Sequence, residues 1–252
     1  MPYVSNNGLR IYYRTEGKGE PVVLMHGTSG NMEDWREYGY VDALKSSHLV
    51  VLIDSRGHGY SDKPHDPSAY ALRLRVSDIT VVLDDLNVER AHYAGYSMGG
   101  WTGFGMAKYA QARLLSLSLG GAHPYEDQMA AQQGQFARGM DAYIAETEAQ
   151  GMKWPAERRV RKLANDPQAV TAATGPRPNI EDVLPVVRVP CLLYVGDADP
   201  RFAQAKKAAA SIKGSTFAAL TGADHLGGFV RSDLALPHIT AHLAGTTRRR
   251  LG

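Results

Sequence analysis

The chain has 252 residues, with 28 Lys and Arg against 26 Asp and Glu, 44% apolar residues and 21% charged ones. That size and balance suit one globular domain with a large core, and a net charge of +2 gives no basis for a nucleic-acid or anionic-membrane partner. The single cysteine, Cys191, excludes an intrachain disulfide. No apolar run approaches the roughly 20 residues of a bilayer span, and the first residues lack the charged and apolar regions of a signal peptide, so a cytoplasmic location is expected.

In chain order, Leu9, Ile11 and Tyr13 alternate with Arg10, Tyr12 and Arg14, which predicts an edge strand of an antiparallel start. Pro21 to Met25 and His48 to Ile53 are short continuous apolar runs, as expected of strands buried on both faces of a parallel sheet. Helical patterns near 32–45 and 69–86 separate the strands. Residues 90–96 predict a strand and 98–110 a helix, joined by Gly95-Tyr96-Ser97-Met98-Gly99. A strand-to-helix turn this tight leaves no room for side chains two residues either side of the serine, hence Gly95 and Gly99, and it presents the Ser97 hydroxyl from a strained backbone. Apolar runs at 113–119, 191–195 and 215–220 continue the strands, and Ser232 is placed to cap a final helix. Strand and helix in alternation predict a doubly wound α/β fold. Residues 122–185 interrupt the rhythm. They predict helices at about 126–150 and 156–173, with Met129, Phe136, Met140, Tyr143, Met152 and Trp154 at irregular spacing, before Pro176, Pro178, Pro185 and Pro190 lead back to the sheet. Those apolar side chains fit packing onto the core as well as lining a pocket.

Four motifs stand at strand ends in a fixed order: His26-Gly27-Thr28-Ser29-Gly30; Asp54-Ser55-Arg56-Gly57-His58-Gly59-Tyr60-Ser61; the pentapeptide around Ser97; and Gly196-Asp197-Ala198-Asp199 with Gly222-Ala223-Asp224-His225. With them the chain resembles the α/β-hydrolase fold superfamily over nearly all of residues 3–245. The resemblance implies a mostly parallel eight-stranded sheet with flanking helices, built from residues 1–121 and 186–247. It also implies a small helical cap, 122–185, between strands 6 and 7, and leaves 248–252 as a basic, disordered tail.

A serine hydroxyl at neutral pH is a poor nucleophile without a base to take its proton. Of the nine histidines, the resemblance assigns this task to His225, in the loop after the last strand. It assigns the supporting acid to Asp199, three residues after Gly196, with Asp197 as the runner-up. Asp224 adjoins His225, but neighbouring side chains diverge. The oxyanion would be met by the backbone N–H of Met98, at the start of a helix, and by that of Thr28. His26 and Gly27 would support that loop, with His26 and His58 structural. The Asp54 to Ser61 segment would order the floor of the site through a buried ion pair, with a substrate-carboxylate role for Arg56 as the alternative. No histidine pair has metal-ligand spacing with a third ligand, no G-x-G-x-x-G opens the first βα unit and no P-loop lysine occurs, so neither metal nor cofactor is expected.

The implied activity is that of a cofactor-independent serine hydrolase acting on an ester, lactone or thioester of a small to medium substrate. Carbon–carbon bond hydrolases and perhydrolases of the haloperoxidase type share this skeleton, and a non-catalytic small-molecule receptor is the remaining alternative. Serine at 97 argues against the aspartate-nucleophile dehalogenases and epoxide hydrolases. Nothing in the sequence reads out an oligomeric state.

Overall fold

The computed structural model describes residues 3–149 and 152–251. Eight strands form one sheet: β1 (Tyr3–Asn6), β2 (Leu9–Glu16), β3 (Glu20–Met25), β4 (His48–Ile53), β5 (Ala91–Tyr96), β6 (Leu114–Gly120), β7 (Cys191–Gly196) and β8 (Thr216–Leu220), in the spatial order β1-β2-β4-β3-β5-β6-β7-β8. The β1–β2 and β2–β4 pairs are antiparallel and the rest are parallel.

Among the described residues four α-helices precede β6: α1 (Glu33–Glu37), α2 (Tyr40–Leu44), α3 (Leu72–Asp85) and α4 (Met98–Tyr109). Alternation along each strand divides its side chains between two apolar layers. Val23, Met25, Val51, Ile53 and Tyr93 pack toward α3 and α4; Val22, Leu24, Val50, Leu52 and Ala94 pack on the other face with Tyr40, Val41 and Leu44 of α2. Burial on both faces is why these strands are uniformly apolar in sequence.

Between β6 and β7 lie α5 (Ala130–Ala137), α6 (Met140–Ala149), α7 (Ala156–Leu163) and α8 (Pro167–Ala173). Phe136, Met140 and Val170 form a small apolar cluster of their own there, with Tyr143 against it. The backbones of Asp127 and Arg177 pair where this segment leaves and rejoins the sheet. After β7 come α9 (Phe202–Ala210), α10 (Gly227–Val230) and α11 (Ser232–Leu251). The last helix corrects the expectation for the tail. Its backbone stays helical through Leu251, because no proline or glycine lies between Gly245 and Leu251 to end it earlier, and Gly252 lies outside the described residues. Among the described residues no helix is long and apolar enough to cross a membrane.

The topology fixes where a site can lie. From β3 the chain moves outward to β4, then returns past β3 to β5, so the strand order reverses between β3 and β5. Loops leaving the carboxyl ends of those two strands diverge and open a crevice at this switch point. They carry Gly27 to Gly30 and Ser97.

Candidate active site

Ser97 occupies the turn between β5 and α4 with φ 54° and ψ −110°. Left-handed φ at a residue with a side chain is costly and persists because the surroundings over-determine it. Here the Ser97 N–H donates to the Gly120 carbonyl at 2.8 Å and its carbonyl accepts from Trp101 N–H at 2.9 Å. A Cβ on Gly95 would run into the Gly99 carbonyl, and one on Gly99 into the Met25 carbonyl. Both glycines therefore let α4 close onto β5 and β3, as the spacing around Ser97 predicts.

The loops after β7 and β8 bring two further side chains to the serine. His225 Nε2 lies 3.0 Å from Ser97 Oγ, and its Nδ1 lies 2.6 Å from Asp199 Oδ2. A carboxylate facing Nδ1 holds the proton there and leaves Nε2 as the acceptor toward the hydroxyl. Asp199 is buried; burial raises its carboxyl, but the His225 hydrogen bond and charge, with the Arg201 N–H on Oδ1 at 2.9 Å, outweigh this and hold it below its ordinary value. Asp197 faces elsewhere, accepting the Gly222 N–H at 2.8 Å, and Asp224 accepts the Gly227 N–H at 2.6 Å. The Tyr96 hydroxyl donates to the His225 carbonyl at 2.7 Å and anchors that loop.

Opposite Ser97 the loop after β3 is stitched by two buried histidines. His26 Nε2 accepts the Ser55 N–H at 3.0 Å while its Nδ1 faces the Gly27 carbonyl; His58 Nε2 accepts the Ser29 N–H at 3.1 Å while its Nδ1 faces the Arg56 carbonyl. Each ring is thus a neutral tautomer spanning a donor and an acceptor. Burial lowers both imidazoles, His58 well below its ordinary value, where the neighbouring His26 adds to the effect. Beneath them Arg56 makes a two-pronged pair with Asp78 of α3, Nε to Oδ2 at 2.6 Å and Nη2 to Oδ1 at 2.7 Å, and also donates to the Ala69 and Leu74 carbonyls. The guanidinium is consumed in the floor, which removes the alternative of a substrate contact. Met98 is the first residue of α4, so its N–H has no intrahelical acceptor, and Thr28 lies beside Ser97 in the same cavity.

That cavity measures about 270 Å³. Its far wall comes from the segment between β6 and β7: Tyr143, Met152 and Trp154 line it, whereas Phe136 and Met140 are spent on internal packing. Two lining residues went unsingled in the sequence, Arg158 and Lys162 of α7, both buried. Lys162 Nζ donates to the Ser29 carbonyl at 2.7 Å and its hydroxyl at 2.8 Å, and Asn165 Nδ2 reaches the same carbonyl at 2.9 Å. Burial is the main force pushing the Lys162 amine down to about 7. The available sequence signal was their i, i+4 spacing, which sets both cations on one helix face. Among the described residues no group of three or more His, Cys, Asp or Glu side chains is placed to hold a metal.

A family profile described as alpha/beta hydrolase fold matches residues 20–153. The chain belongs to the alpha/beta hydrolase family. This alpha/beta hydrolase is 38% identical over 128 residues to cis-3-alkyl-4-alkyloxetan-2-one decarboxylase of Shewanella oneidensis, covering 48% of this chain and 39% of that protein. It is 31% identical over 175 residues to 3-oxoadipate enol-lactonase 1 of Acinetobacter baylyi, covering 64% of this chain and 65% of the relative. Both matches span less than two thirds of the relative's length. The enol-lactonase structure from Burkholderia xenovorans LB400 superposes with a TM-score of 0.84 at 24% identity, covering 96% of this chain and 100% of that one, which shows a shared fold.

Proposed function

We propose that this alpha/beta hydrolase cleaves an ester or lactone of a small substrate through an acyl-enzyme on Ser97, without a cofactor, beneath a cap formed by residues 122–185. The observation that carries this reading is the unbroken chain from Asp199 Oδ2 through His225 to Ser97 Oγ, with spacings of 2.6 and 3.0 Å. Oγ attacks the carbonyl carbon as His225 Nε2 takes its proton. The negative charge collects on the carbonyl oxygen, facing the N–H groups of Met98 and Thr28, and Asp199 stabilises the imidazolium. The tetrahedral adduct expels the alkoxide, which leaves with the proton from His225. Water then attacks the acyl-enzyme by the same proton route, returning Ser97 and releasing the acid. The cavity of about 270 Å³ is slightly smaller than the usual ligand pocket of about 300 Å³ or more and supports a short acyl group. Likeness to enol-lactonases supports the lactone form, in which the expelled alkoxide remains tethered to the acyl chain.

The test is turnover of p-nitrophenyl esters of increasing chain length by the native protein and Ser97→Ala. Hydrolysis that peaks at short acyl chains and vanishes in the variant supports the proposal. Undiminished turnover in Ser97→Ala removes it.

A further inference from the structure

Helix α7 packs with its charged face inward. Arg158 and Lys162 are 5% and 4% exposed, while Val160 between them is 66% exposed. Burying a cation is costly unless an anion meets it, and here the pairing is incomplete. Among the described residues the hydrogen bonds of Lys162 Nζ go to neutral oxygens of Ser29, and the Trp154 ring lies 5.6 Å away. Arg158 donates through Nη1 to the Tyr38 hydroxyl at 2.5 Å, and its Nε is buried without a hydrogen-bond acceptor among the described residues. The carboxylate near Arg158, Asp34 Oδ1 at 3.7 Å, is shared with Arg161 at 3.5 Å, and Arg161 also pairs with Glu37. Three cations therefore face two carboxylates, one in excess when Lys162 carries its proton. Asp224, the other acid lining the cavity, is exposed and turned to the Gly227 N–H. Ring faces of Tyr38 and Trp154 stand 5.2 and 5.0 Å from the Arg158 guanidinium and confine it to the cavity wall.

We propose that Arg158 and Lys162 form a carboxylate-binding subsite in the cavity beside Ser97, so that the substrate is an ester or lactone bearing a carboxylate. This rests on the hydrolase reading above. A carboxylate matches the single excess charge and the planar fork of the guanidinium, whereas a phosphate dianion would overshoot it. Binding such an anion also favours the charged form of Lys162, whose surroundings comprise Asp34, Glu37, Arg158, Arg161, His26 and His58.

Two measurements test the subsite, one of them without turnover. The first is the ratio of kcat/KM for p-nitrophenyl hemisuccinate to that for the neutral p-nitrophenyl butyrate. It should favour the anionic ester in the native protein and fall at least about tenfold in Arg158→Gln, mainly through KM, with partial recovery in Arg158→Lys. The second is calorimetric titration of monomethyl glutarate into Ser97→Ala. Binding at pH 8 should draw in protons, seen as a dependence of the heat on the buffer's ionisation enthalpy, and that uptake should disappear when Lys162→Met is added. A hemisuccinate to butyrate ratio indifferent to Arg158→Gln, or a native preference for butyrate, overturns the subsite while leaving the hydrolase reading intact. Arg158-dependent binding of monomethyl glutarate with no ester cleaved has the opposite meaning: the subsite stands and the hydrolase reading falls. Neither binding nor turnover removes both. Circular dichroism melts of each variant exclude loss of fold as the cause.

Discussion

Helix α4, which begins just after Ser97, and helix α7, which lines the cavity beside it, both bury side chains, and they do so with opposite chemistry. The buried residues of α4 are apolar or small apart from Thr102, among them Met98, Phe104 and Met106. On α7 the buried residues are Arg158 and Lys162, and its valine looks outward. A helix that faces only protein can be sealed with hydrocarbon; one that faces a ligand must keep polar groups under cover and bear the cost of desolvating them. On the proposed reading the contrast separates the work of the two layers: α4 and the sheet set the geometry of bond breaking, and α7 selects what approaches it.

Substitutions on the core side should give the largest effects. Ser97→Ala should lower kcat for a short ester by about 10⁴ to 10⁶-fold with an unchanged melting temperature, since it deletes the nucleophile and keeps the turn. Asp199→Asn should follow, at about 10⁴-fold in kcat because the wrong imidazole tautomer is favoured, while Asp197→Asn, which only loosens the Gly222 turn, should cost far less in steady-state assays. Phe104→Ala, at a fully buried position of α4, should destabilise by about 3–5 kcal/mol in urea unfolding.

A smaller effect should come from pH. The buried His58 imidazole is held neutral in the fold below its ordinary value. The unfolded chain therefore binds this proton first as pH falls past about 6.5. Stability is complete above that pH and declines below it, by up to about 1.4 kcal/mol per pH unit from this group. Urea midpoints that stay flat from pH 7 to 5.5 would contradict the buried neutral ring. The least effect belongs to the outward face of α7: Val160→Gln should change stability by no more than about 0.5 kcal/mol and leave the hemisuccinate to butyrate ratio where it was. A shift in that ratio would mean that the two faces of α7 have been assigned the wrong way round.

The same contrast explains what the sequence made legible. Strands β3 to β7 are buried on both faces, so their composition announces them, and the glycines around Ser97 mark a turn whose geometry admits nothing larger. Strand β1 escaped notice because Tyr3 to Asn6 is short and, except for Asn6, partly buried or exposed, leaving little contrast to read. Arg158 and Lys162 escaped because a cation on a polar helix ordinarily points to water; their i, i+4 spacing, with Val160 on the opposite side, was the signal available. Tyr96 read as one more strand residue, and nothing local to it reveals that its hydroxyl holds a loop 129 residues further on.

Ser29 ties the far wall of the cavity to the loop beside Ser97. While its N–H donates to His58, Ser29 accepts two hydrogen bonds from Lys162 and one from Asn165, and it adjoins Thr28 in a left-handed turn at φ 57°. The segment between β6 and β7 and the loop that carries Thr28 are therefore held to each other through this one residue. A substitution that weakens the hold of Lys162 on Ser29 is thus felt one residue away at Thr28, beside Ser97, as well as at the wall of the cavity.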